Sequence, residues 1–206
     1  MNDANLFVVG LTGPTGSGKT TVSEVFARNG FYVINCDKIS RDVSENSKAC
    51  KDELVHEFSD VILNEDGSLN RQKLSDIVFG DGMKRACLEG VIYPYILAKI
   101  IDEIKDAVRK KERFVLLDAP TLFQSNANDF CDIIVTVIAD EQKRYENIMQ
   151  RDGLTIKRAQ LRMAAQLKDE YYTSKSDIVI QNDKDLEKLM KASEEIAKMI
   201  KEYRHG

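Results

Sequence analysis

At 206 residues and 43% hydrophobic content the chain is long enough for one substantial core, and its 30 basic and 34 acidic residues give a net charge of −4 spread along the whole length. No basic arm or stripe offers itself to nucleic acid or to a membrane surface, so neither is an expected partner. Four widely spaced cysteines (Cys36, Cys50, Cys87, Cys131), no CxxC pair and only two histidines argue against a zinc site or a disulfide framework. The N-terminal apolar run is too short for a signal peptide and no segment approaches 18 apolar residues, so a cytoplasmic chain with reduced thiols is the expectation.

The first predicted element is "LFVVG" (6–10), a short apolar, β-branched run closed by glycine, which reads as a buried parallel strand. "GPTGSGKT" (13–20) follows. From Gly18, Val22, Val25 and Phe26 recur at helical spacing until "NG" (29–30) stops the helix. "FYVIN" (31–35) is a second strand. Residues 41–112 then interrupt the alternation with a long, mostly helical insertion, in which "DGS" is a turn and a long amphipathic helix runs around Pro94. Strands return at "RFVLLDAP" (113–120) and "CDIIVTVIA" (131–139). A second insertion, 141–172, reads as a charged helical hairpin broken at Asp152-Gly153. "SDIVIQ" (176–181) leads into a final helix over 183–204 whose apolar face carries Leu186, Leu189, Met190, Ser193, Ile196, Ala197 and Ile200. Five buried strands interleaved with helices predict an α/β fold, a doubly wound parallel sheet with right-handed crossovers.

"GPTGSGKT" matches G-x-x-x-x-G-K-[ST] and lies between a predicted strand and a predicted helix, the context in which that string binds phosphate. Backbone N–H groups of such a loop, here Gly13, Pro14, Thr15, Gly16, Ser17, Gly18, Lys19, Thr20 and Thr21 with proline supplying shape alone, converge on phosphate oxygens. The glycines let the chain come close, and the helix N-terminus adds partial positive charge. Lys19 then reaches the β and γ phosphates and the Thr20 hydroxyl can ligate Mg²⁺, so a nucleoside triphosphate with Mg²⁺ is expected. A regulatory GTPase is disfavoured, because neither DxxG nor [NT]KxD occurs in the chain.

Asp37 closes the second strand in "INCDKISR" (34–41), at the carboxyl edge where an open α/β sheet presents ligand-contacting groups. Its carboxylate either takes the proton of a hydroxyl attacking the terminal phosphoryl group or caps the helix that follows, and the two roles are compatible. Asp118, ending the third strand, is either a Walker-B carboxylate for Mg²⁺ or a strand-end residue satisfying a neighbouring loop. Arg144, Arg151, Arg158 and Arg162 fall at near-heptad intervals in 141–172. They make either a solvated charged face or a lid that brings guanidinium groups over the phosphates and excludes water.

Together "GLTGPTGSGKTTVSEVFARNGFYVINCDKISRDV", "DGSLNRQKLSDIVF", "LEGVIYPYI", "VLLDAPTLFQS" and "RDGLTIKRAQLRMAAQLKDEYYTSKSDIVIQND" resemble the dephospho-coenzyme A kinase family over essentially the full length. The resemblance implies a single P-loop kinase domain with a core of 1–40, 113–140 and 173–206, a coenzyme-A-binding subdomain at 41–112 and a lid at 141–172. It implies transfer of the ATP γ-phosphoryl group to the 3′-hydroxyl of dephospho-coenzyme A, with Mg²⁺ held at Thr20 and Asp118. Asp37 falls on the proposed base, and Lys19, Arg144 and Arg151 fall on phosphate-facing groups. Asn182 falls near the adenine, and Thr12, Asp37, Arg41, Tyr93 and Arg162 fall on the acceptor side. Asn35, Tyr93, Thr121 and Gln124 depart from the family pattern, which touches acceptor contacts more than phosphoryl transfer. A related kinase of a nucleoside or nucleotide, and a non-catalytic nucleotide-binding protein, are the alternatives. Oligomeric state has no signature in the sequence.

Overall fold

The computed structural model describes residues 6–153, 156–164, 166–183 and 185–204. Strands β1 (Phe7–Thr12), β2 (Tyr32–Asn35), β3 (Phe114–Asp118), β4 (Ile133–Ile138) and β5 (Ile178–Gln181) form one sheet in the order β2-β3-β1-β4-β5. β1 runs parallel to β3, with Leu11 opposite Asp118, and parallel to β4, with Thr12 opposite Thr136. These pairings carry β1 past the predicted end at Gly10. Helices are α1 (Lys19–Arg28), α2 (Cys36–Asn46), α3 (Lys48–Phe58), α4 (Arg71–Val78), α5 (Gly82–Arg109), α6 (Glu141–Asp152), α7 (Ile156–Ala164), α8 (Asp169–Thr173) and α9 (Leu186–Tyr203). The doubly wound parallel sheet expected from the sequence is the observed architecture.

Burial explains why the strands read as they do. Every residue of β1 and β3 is buried, as befits central parallel strands covered on both faces, so both appear as unbroken apolar runs. β5 lies at the edge, and Val179 faces solvent. The core gathers Val9, Leu11, Val22, Phe26, Leu116, Val135 and Val137, with Phe31 lying between Phe26 and Phe114 at ring-centroid distances of 4.8 and 5.3 Å. α9 begins three residues later than predicted, because the Asp185 carboxylate accepts from the Lys188 N–H at 2.9 Å and caps it. Its buried face is Leu189, Ser193, Ala197 and Ile200; Leu186, in the first turn, is exposed.

The chain forms two compact units, one comprising residues up to Ile34 and from Ala107 onward, the other Asn35–Asp106. The second is built mainly of α2 to α5, and its buried side chains include Cys50, Leu54, Ile62 and Leu74. Each of its short helices starts on a side-chain cap: Asn35 accepts from the Lys38 N–H, Ser47 from Cys50 and Asn70 from Lys73. The "DGS" turn closes a bridge between Leu63 and Leu69, with the Asp66 carboxylate accepting from the Ser68 N–H at 2.9 Å. α5 continues through Pro94, as the sequence predicts.

Candidate active site

Where β1 ends, the chain turns directly into the loop 13–18, and this close turn is possible only for particular residues. Gly13 has φ +143°, and a Cβ there would lie 2.2 Å from the Val137 carbonyl oxygen of β4. Gly16 has φ +80°, with a Cβ position 2.5 Å from the Arg144 carbonyl oxygen. Both the backbone conformation and the lack of space therefore require glycine. Gly18 is the N-cap of α1 and brings no side chain to the first-turn amides, which leaves them directed at an incoming anion with the helix dipole behind them. The Ser17 hydroxyl is buried inside the loop without a hydrogen-bond partner among the described residues.

β3 runs beside β1 in register, so its last residue, Asp118, arrives next to the loop. Lys19 Nζ donates to Asp118 Oδ1, and both side chains are largely buried. Thr12 is buried and its hydroxyl faces the Pro120 carbonyl at 3.4 Å. From the far end of β5, Asn182 Nδ2 donates to the Ser17 carbonyl at 2.9 Å. The structure thus brings Thr12, the loop, Lys19, Asp118 and Asn182 together at the carboxyl ends of the parallel strands, where open α/β sheets carry their ligands.

The 141–172 segment reaches the same loop. Arg144, 8% exposed, donates from Nε to the Thr15 carbonyl at 3.1 Å and from an Nη to Asp169 Oδ1 at 3.2 Å. Asn147 Nδ2 donates to the Gly16 carbonyl at 2.7 Å, and the Thr15 N–H donates to Gln166 Oε1 at 3.1 Å. Desolvation holds the Asp169 carboxyl above the ordinary range, while Arg144 pulls it back down. A cavity of about 530 Å³ borders these groups, lined also by Tyr145, Gln160 and Met163. The sequence named Arg144; it gave no sign of Asn147, Gln166 or Asp169, neutral amides and a surface carboxylate that no local pattern marks. Arg151 and Arg162 stand exposed in the last turns of α6 and α7.

The remaining expected residues lie in the second unit. Asp37 is exposed in the first turn of α2, and the cap of that helix is Asn35, whose Oδ1 accepts from Lys38 N–H at 2.9 Å. The departure at 35 leaves that cap intact, since asparagine and aspartate cap about equally well. Arg41 lends its carbonyl to Arg71 at 3.0 Å, and Tyr93 is half-buried on α5. Among the described residues no group of three or more His, Cys, Asp or Glu could hold a metal ion, and no helix is long and apolar enough to cross a membrane.

A family model described as Dephospho-CoA kinase matches residues 7–188. The chain belongs to the dephospho-CoA kinase family. A dephospho-CoA kinase of Fusobacterium nucleatum is 36% identical over 197 residues, covering 95% of this chain and 100% of that one. A Thermus thermophilus protein of known crystal structure superposes with a TM-score of 0.78 at 27% identity, over 93% of this chain and 96% of the other. The dephospho-CoA kinase from Campylobacter jejuni shares the fold, with a TM-score of 0.70 at 23% identity over 96% and 98% of the two chains. The dephospho-CoA kinase match begins at the first residue of β1 and ends within α9, so it takes in both compact units and the kinase class expected from the sequence holds.

Proposed function

We propose that the chain transfers the γ-phosphoryl group of ATP to the 3′-hydroxyl of dephospho-CoA, yielding CoA and ADP. The observation that carries this reading is the Gly13–Thr20 cradle at the end of β1, with Lys19 and Asp118 beside it, in a chain that matches the family over residues 7–188. Loop amides, the α1 N-terminus and Lys19 would take the β and γ phosphates, and the orphaned Ser17 hydroxyl is a donor that a phosphate oxygen would satisfy. Thr20 and Asp118 present the hard oxygen donors that Mg²⁺ prefers. Two such donors suit an ion shared with phosphates, and when bound it would neutralise charge on the phosphoryl oxygens.

In this reading Asp37 accepts the proton of the 3′-hydroxyl as that oxygen attacks phosphorus, the bond to the β-phosphate oxygen breaks and ADP leaves. Its exposure, and the capping of α2 by Asn35 instead, support a carboxylate kept available for chemistry. Arg151 and Arg162 supply positive charge from the 141–172 lid, with Arg144 adding its own through the loop it holds at Thr15, Asn182 would serve the adenine side, and Thr12, Arg41 and Tyr93 serve the acceptor. The segment 41–112, overlapping the compact unit Asn35–Asp106, would carry the acceptor subdomain. Four free cysteines fit a reducing cytoplasm. The test is an acceptor panel with Mg²⁺-ATP, in which dephospho-CoA is converted to CoA with equimolar ADP. Phosphorylation of nucleosides alone would replace the acceptor, and ATP binding without turnover on any acceptor would overturn the kinase reading.

A further inference from the structure

The tip of the phosphate loop is held from outside its own motif. Three successive carbonyls are each tied by a side chain that lies far away in sequence: Thr15 by Arg144 Nε at 3.1 Å, Gly16 by Asn147 Nδ2 at 2.7 Å and Ser17 by Asn182 Nδ2 at 2.9 Å. The Thr15 N–H is tied as well, to Gln166 Oε1 at 3.1 Å. Because a peptide unit is planar and trans, its carbonyl and the following N–H point in opposite directions. Drawing the Thr15 and Gly16 carbonyls outward therefore turns the Gly16 and Ser17 amides inward. The Ser17 N–H is turned into the loop in this way, where it donates to the Pro14 carbonyl at 3.2 Å and closes a turn.

We propose that Asn147, Gln166 and the Arg144–Asp169 pair are positioning residues for the nucleotide: by anchoring Thr15 and Gly16 they aim the loop amides at the phosphates. The proposal rests on the ATP reading of the loop given above. Arg144 suits this task because its planar guanidinium serves Thr15 through Nε and Asp169 through a second nitrogen at once, which a lysine ammonium on a flexible stem does not reproduce. Gly16 completes the joint, since its missing Cβ is what lets the loop approach the α6 backbone at Arg144.

The experiment is calorimetric titration of the full chain with ADP, alongside KM values for ATP and for dephospho-CoA, for the wild type, Asn147→Leu and Arg144→Lys. Asn147→Leu keeps the branched outline and the neutrality of the side chain and removes the donor, so a residue that only fills space would tolerate it. Loss of one such bond is expected to weaken ADP about tenfold. The KM for ATP rises by the same factor, and the KM for dephospho-CoA stays unchanged. An ADP affinity within about twofold of wild type for both variants, or an equal rise in both KM values, overturns the proposal. If the wild type binds ADP yet makes no CoA, the acceptor assignment falls while the ADP titrations still decide this one. If the wild type does not bind ADP at all, both fall.

Discussion

The contact between Gly13 and β4 offers the sharpest test of the loop's rigidity. In Gly13→Ala the new Cβ would sit 2.2 Å from the Val137 carbonyl oxygen and 3.2 Å from Ser17 Oγ, where real Cβ contacts stay beyond 3.0 Å. Val137 cannot give way easily: it is fully buried in β4 and paired in register with Ile180 of β5. The loop must move instead, opening from 2.2 Å to at least 3.0 Å, and Ala must also hold φ near +143°. A displacement approaching 1 Å in a positioning element costs on the order of 100-fold in rate, about 2.7 kcal/mol of transition-state stabilisation. Backbone strain adds about 1–3 kcal/mol to the folding cost. Coupled ADP-release kinetics with ATP varied, together with urea unfolding, read the two effects separately. A variant within about threefold of wild type in kcat/KM, with an unchanged urea midpoint, would refute the view that β4 fixes the loop.

Asp37→Asn is expected to lower kcat by about 10² to 10⁴ while ADP affinity stays at the wild-type value; near-normal turnover removes Asp37 from the proton-accepting role. Asp118→Ala strands the Lys19 ammonium in a largely buried position and should cost about 3 kcal/mol in urea unfolding. A loss below about 0.5 kcal/mol would show the pair to be fully hydrated. The Tyr95 hydroxyl donates to Glu53 Oε1 at 2.6 Å, and this bond, with burial and the Glu53 charge adding to it, pushes the phenol up to about 12. A folded-state pKa raised above the ordinary 10 stabilises the fold fully below pH 10, and that contribution is lost as pH rises through 12. The stability difference between wild type and Tyr95→Phe should therefore be constant below pH 10 and shrink above it, and a flat difference would contradict the assignment.

What the sequence made legible was whatever depends on residues adjacent in the chain. The glycines at 13, 16 and 18 and Lys19 could be read because a strand, a tight turn and a helix N-terminus impose fixed spacing on one short string. Asp118 could be read because it closes an apolar run that the fold places inside the sheet, between β2 and β1. The Asp152-Gly153 break was equally local: Gly153 ends α6 with φ +60°. Asn147, Gln166 and Asp169 stayed hidden because their partners lie far off along the chain, and helical periodicity says which face a residue occupies, not which carbonyl it meets. The helix cap went to Asn35 and not Asp37 for a similar reason, since two polar residues near one helix start look alike until backbone dihedrals separate them. Leu186 fitted the apolar stripe of α9 and is nevertheless exposed, since periodicity marks a face and not how far along it the packing runs.

The last helix fastens the first. Near the end of α9, Lys201 donates to the carbonyl of Asn29, which closes α1, and its ammonium lies 5.6 Å from the Phe31 ring centre, while Arg204 rests 5.6 Å from that of Phe7. Leu189, Ala197 and Ile200 join Val22 and Phe26 in one core. During synthesis the phosphate loop thus leaves the ribosome well ahead of α9, which completes its supporting scaffold. A chain arrested ahead of α9 carries the whole motif on a helix with a bare hydrophobic flank, and nascent chains should gain nucleotide-dependent protease resistance only once α9 has emerged.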